Sequence, residues 1–100
     1  MTYVLPALQG ARNYIANCAV NMTFASGTTT INIYDGSLTT DTLLRRENIT
    51  TSAVDSKIDI GGSENEYIFG TAGSAMRIDV VNTTGTAITE GTINILGFTR

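Results

Sequence analysis

The chain has 100 residues, 42% of them apolar and only 15% charged, with a net charge of −3. One hundred residues make one domain with a modest core, and this much apolar content with so little charge excludes intrinsic disorder. Six Lys and Arg face nine Asp and Glu with no basic stripe, so there is no cationic surface to displace the counterions of a nucleic acid.

The opening segment, MTYVLPALQG, carries the only proline, Pro6. Proline suits an edge strand or an extended arm and not a central strand, so residues 1–10 read as an N-terminal arm or an edge strand. In NYIANCAVNMTF, residues 13–24, the even positions Tyr14, Ala16, Cys18, Val20, Met22 and Phe24 are all apolar, and Asn13, Asn17, Asn21 and Thr23 fall between them. Period two over twelve residues predicts a strand with the even side inward. A helical reading through Ile15, Cys18, Ala19 and Met22 competes, but asparagine disfavours a helix interior.

TTINIYDG, residues 29–36, sets Ile31 and Ile33 on one face and Thr30, Asn32 and Tyr34 on the other. It ends in an Asp35-Gly36 turn pair. The stretch 38–54 has mixed signals. Leu43 and Leu44 are expected to be buried in a connecting loop, a short strand or one helical turn. KIDIGG, 57–62, puts Ile58 and Ile60 on one side and stops at two glycines. EYIFG, 66–70, is a nearly continuous apolar run, as expected for a strand covered on both faces. GTAGS, 70–74, reads as a turn.

AMRIDVVN, 75–82, gives the clearest alternation: Met76, Ile78 and Val80 face one way, Arg77 and Asp79 the other. In the closing NTTGTAITEGTINILGFTR the apolar parity switches between Ile88 and Ile93. That predicts a strand over 86–89, a break at Glu90-Gly91 and a strand over 92–98, with Gly97 as a further irregularity. Ile88, Ile93, Ile95 and Phe98 are all expected to point inward. Short alternating segments separated by turns every ~8–12 residues define the class as all-β, a single-domain antiparallel β-sandwich or barrel, jelly-roll-like or immunoglobulin-like, with an extended N-terminal arm.

The chemical inventory is thin. There is no His, so no catalytic triad, Cys–His dyad or imidazole ligand can form. Trp is absent as well. No carboxylate pair stands out for acid–base work, and the chain reads as a non-enzyme with no small-molecule substrate and no cofactor. Asp35 to Asp41, DGSLTTD, offers oxygen donors at short spacing but does not follow the EF-hand pattern, so the turn is the sufficient explanation and no metal is expected. Cys18 is alone and reads as a small buried hydrophobe. Tyr3, Tyr14, Tyr34 and Tyr67 are candidates for a binding face, although such rings are more often half-buried with the hydroxyl at the surface. The triplets at Asn21, Asn48 and Asn82 match glycosylation sequons, as a chain rich in Asn and Thr does by chance. No apolar run approaches the roughly 20 residues of a membrane span. No signal peptide is recognised, so synthesis in a cytoplasm is the expectation.

A low-charge β protein has strand edges to protect, and charge is the usual protection. Only one lysine, Lys57, is present, and the closing strand carries a single Glu before Arg100. Pairing with another subunit, or docking onto a larger assembly, accounts for that better than a free monomer does.

In this style, a short β protein rich in Thr, Gly and Asn with the ending MRIDVVNTTGTAITEGTINILGFTR, the whole chain resembles small tailed-bacteriophage virion proteins, in particular capsid decoration (cement) proteins. The resemblance implies an accessory structural protein, made in the host cytoplasm and carried on the virion, that binds the outer capsid surface. It implies a trimer or dimer that bridges neighbouring copies of the major capsid protein. On that reading Thr2, Tyr3, Val4, Leu5, Pro6, Ala7 and Leu8 are the candidate contact residues. The alternative is a tail, neck or fibre-associated structural or carbohydrate/receptor-binding β module.

Overall fold

A computed structural model of the protein describes residues 1–23, 27–51, 55–60, 67–82 and 90–100. Eight strands form: β1 (Thr2–Leu5), β2 (Asn13–Thr23), β3 (Gly27–Asp35), β4 (Thr42–Thr51), β5 (Asp55–Ile60), β6 (Ile68–Phe69), β7 (Met76–Asn82) and β8 (Glu90–Thr99). They build two four-stranded sheets, and every strand pair is antiparallel. Sheet A runs β1-β7-β3-β4. In sheet B, β2 is central, with β8 along one side and β5 followed by β6 along the other. This is a β-sandwich, and no helix occurs among the described residues.

The core lies between the sheets. Sheet A contributes Ile31 and Ile33 from β3 and Met76, Ile78 and Val80 from β7, all fully buried, as their alternation predicts. Sheet B contributes Ile15 and Cys18 among its described side chains, with Ile93 and Ile95 packed against them from the side. On the outer face of sheet A the intervening residues are polar. Arg77 Nε donates to both carboxylate oxygens of Asp79 (3.0 and 2.9 Å), and Thr2 Oγ1 donates to Asp79 Oδ1 at 2.6 Å. Arg46 Nε donates to Asn32 Oδ1 at 2.8 Å. A nearly buried carboxylate with two donors, one of them shared between its oxygens, is satisfied, which is the condition for burying it at all.

Several expectations from sequence are corrected here. Residues 2–5 are an edge strand paired with β7 and not a free arm. Its last turn is pinned by the buried amide of Asn13, whose Nδ2 donates to Pro6 O and Ser74 O. The stretch 38–54 contains a ten-residue strand, β4. The β3–β4 register shifts between Ile33 and Tyr34, leaving Leu44 as the extra residue. Only Leu44 reaches the core while Leu43 is exposed, because adjacent strand residues point to opposite sides. Tyr34, next to that shift, is buried and not on a wet face; a bulge re-aims its neighbours. Glu90 and Gly91 do not break the closing strand; they pair with Thr23 and Met22 as the start of β8. The expected strand over 86–89 with its inward Ile88, the Gly61-Gly62 stop and Phe24 lie outside the described residues.

Two predictions follow from the core. Ile78→Ala removes a fully buried side chain from a strand paired on both sides and lowers the unfolding free energy by about 3 kcal/mol in urea titration. Burial pushes the Cys18 thiol up to about 11, so it stays protonated and resists iodoacetamide until urea unfolds the chain. The unfolded thiol ionises near roughly 8.5 and the folded one near about 11. Between those values the folded state holds the extra proton, so stability falls as pH rises through that window, measured by denaturation at stepped pH.

Candidate functional site

The site starts from one extra residue in β2. Ile15 pairs with Gly97, but the next pair is Asn17 with Leu96, so Ala16 has no partner of its own. The bulge lets Ile15 and Cys18, three positions apart, both face the core. It also reverses the phase of the strand before it. Tyr14, expected inward with the even positions, instead faces out. Phe98, its cross-strand partner, faces out too and is 41% exposed, which corrects its expected inward orientation.

Gly97 is required at this crossing. A Cβ on it would collide with the backbone carbonyl oxygen of Tyr14, and a backbone atom cannot swing aside as a side-chain tip can. The irregularity expected at Gly97 is therefore present, as a close approach of two backbones.

Beyond Tyr14, β6 pairs Phe69 with Tyr14. The expectation that 66–70 is covered on both faces fails: Phe69 is 50% exposed and Tyr67 is exposed as well. With only two residues, β6 is a short strand lying over the start of β2. Its apolar character serves an outward aromatic row. Phe69, Tyr14 and Phe98 stand side by side on β6, β2 and β8. Tyr14 stacks on Phe98 with centroids 4.8 Å apart and planes at 10°, and Phe69 lies 5.7 Å from Tyr14. Tyr67 meets Tyr14 and Phe98 edge-on at 6.3 and 5.4 Å. Arg12 sets its guanidinium over Phe69, 5.9 Å from the ring centroid. Leu96, 68% exposed, extends the same face along β8. The outer face of sheet A thus carries hydrogen-bonded polar pairs with Val4 and Val81 exposed among them, whereas that of sheet B is aromatic at this end.

At the side of the sandwich, β1 and β8 flank a cleft of about 400 Å³ lined by Tyr3, Leu5, Ile93, Ile95 and Phe98 among others. The candidate contact residues of the N-terminal segment divide here. Tyr3 and Leu5 sit on the inward side of β1 and line the cleft; Thr2 is engaged with Asp79. Val4, Pro6, Ala7 and Leu8 are exposed. The aromatic row is not among the residues singled out for contact, apart from Tyr14 and Tyr67 as general binding-face candidates. Phe69 and Phe98 carry no sequence signal of exposure except the glycine beside each, Gly70 and Gly97.

The acidic segment considered for a cation is occupied by local work. Asp35 accepts from Thr71 N–H at 3.0 Å and Thr71 Oγ1 at 2.6 Å, and Asp41 accepts from Leu38 N–H at 2.9 Å. Among the described residues, no group of three or more His, Cys, Asp or Glu converges. Comparison of the chain with protein-family models, curated proteins and solved structures yields no match.

Gly97→Ala is expected to cost about 2 kcal/mol in thermal or urea unfolding, the scale of a forced backbone shift. Amide exchange should quicken at Tyr14 and Ile15 more than in β7, since the clash is local to the β2–β8 crossing.

Proposed function

We propose that this protein is a structural virion component, a decoration protein that binds the outer capsid surface and bridges neighbouring copies of the major capsid protein. The observation that carries the reading is the exposed aromatic row of sheet B, Phe69–Tyr14–Phe98 with Leu96 beside it. Clustered exposed aromatic and aliphatic side chains mark protein contact surfaces. Their rings pack on one another, so the patch is preorganised and loses little side-chain freedom on docking. A shell binder of this kind stabilises the assembled lattice by mass action, because it binds the assembled state in preference to free subunits. An oligomer that touches several subunits gains effective concentration at each further contact.

The same row supports a second reading, a carbohydrate- or receptor-binding module of a tail or fibre, since aromatic faces also pack against sugars. The stacking of Tyr14 on Phe98 covers ring faces that a sugar would use, which favours the capsid reading.

Co-sedimentation with purified capsids, with copies counted per particle, separates the two. Copy number in proportion to capsid subunits is expected, with no hits on a glycan array. Phe69→Ala, a half-exposed ring, should weaken capsid binding by at least about tenfold while leaving the melting temperature within a few degrees. A few copies per particle with glycan hits would replace the capsid reading by the fibre one.

A further inference from the structure

We infer that β8 is a self-pairing edge. Two copies of the chain join β8 to β8 antiparallel about a twofold axis through Ile95, making one continuous sheet out of both copies of sheet B.

Four of the lateral strands, β1, β4, β5 and β8, have four or more residues. Exposed edges are protected by being short or charged. β1 has four residues. β4 carries Arg45, Arg46 and Glu47, and β5 carries Asp55, Lys57 and Asp59 in six residues. β8 is neither short nor charged: over ten residues its sole ionisable residue is Glu90 at the start, and it contains no proline. The bulge that disturbs the β2–β8 pairing lies in β2, so β8 itself is regular. Among the described residues, β8 has β2 on one side and no strand on the other.

The polarity of that free side can be assigned. Arg12 and Arg100 exchange both backbone hydrogen bonds, at 3.0 and 3.1 Å. Arg100 therefore turns its N–H and C=O toward β2, and alternation along an antiparallel strand gives the even residues of β8 the same direction. The odd residues Gly91, Ile93, Ile95, Gly97 and Thr99 present theirs to the open side. A twofold pairing must match odd residues with odd ones. Of the registers that do so, the one centred on Ile95 pairs the whole segment 90–100 with itself. Gly91 then faces Thr99 of the second copy, and Ile93 faces Gly97. This register also sets Glu90 opposite Arg100 of the second copy at both ends, so the two charged positions of the segment meet as opposites. On the outer face, exposed Leu96 gains Asn94 of the second copy as its cross-strand neighbour, in a close, non-hydrogen-bonded pair. The occupant is a second copy because the segment is complementary to itself in length, hydrogen-bond phase and charge.

The pairing stands apart from the capsid reading: a monomer that still co-sediments with capsids would remove the pairing alone, and a dimer that does not would remove the capsid alone. The test uses the full chain in analytical ultracentrifugation and native mass spectrometry. A dimer is expected. Leu96→Lys replaces an exposed side chain and places two cations diagonally across the twofold. It should raise the dimer dissociation constant at least about tenfold with an unchanged unfolding midpoint measured below that constant. A mixture of the single variants Asn94→Cys and Leu96→Cys should form the 94–96 heterodisulfide in preference to either homodisulfide on mild oxidation, because this register sets position 94 of one copy opposite 96 of the other. A wild-type monomer or trimer would overturn the inference. So would a dimer indifferent to Leu96→Lys, or a mixture that forms only 94–94 or 96–96 disulfides.

Discussion

The structure depends on a single packing constraint, that Ile15 and Cys18 must both reach the core of the sandwich. They are three residues apart on one strand, and a regular strand would send one of them outward. The unpaired Ala16 resolves the conflict. Everything at that end of sheet B follows from it. Tyr14 is turned out beside Phe98, Phe69 falls into line with them, and Gly97 becomes the one residue that the crossing tolerates. The exposed aromatic row is thus the outward reflection of an inward packing requirement.

This also explains what could be read from the sequence. β7 and β3 obey strict alternation over Met76–Val80 and Ile31–Ile33, and their buried faces follow from that pattern alone. β2 was legible as a strand and not in its phase. Both Tyr14 and Ile15 are apolar enough to face either way, and nothing local announces that Ala16 is surplus. β4 was obscured for the same reason, since Leu43 and Leu44 stand side by side across a register shift. The edge strand Thr2–Leu5 was readable from Pro6 as one of two options; its partner β7 was not, because strand order is a long-range property that periodicity does not encode. The exposed aromatic row was the least legible feature. A run such as Tyr67–Phe69 has the composition of a buried strand, and only its position over the start of β2 makes it a surface.

The two outer faces have different physical characters. Sheet A closes its polar groups on one another, through Asp79 with Thr2 and Arg77 and through Asn32 with Arg46. Such a face is content in water. Sheet B leaves rings and Leu96 at the surface, and its last strand leaves backbone groups unpaired among the described residues. The side with exposed rings and an open strand edge is thus the side with the bulge. On β4 the charges gather at Arg45, Arg46 and Glu47, whereas the aromatic row of sheet B has the Arg12 guanidinium over Phe69.

The pairing of β1 with β7 bears on the order in which the molecule forms. Thr2 and Asp79 are 77 positions apart, and their hydrogen bond joins segments distant in the chain. Five strands, β2 to β6, lie between β1 and its partner β7. Closing so long a loop is slow. Until that pairing closes, the flank of the core beneath Tyr3 and Leu5 is uncovered, so a contact between segments distant in the chain is the one that seals this side of the sandwich.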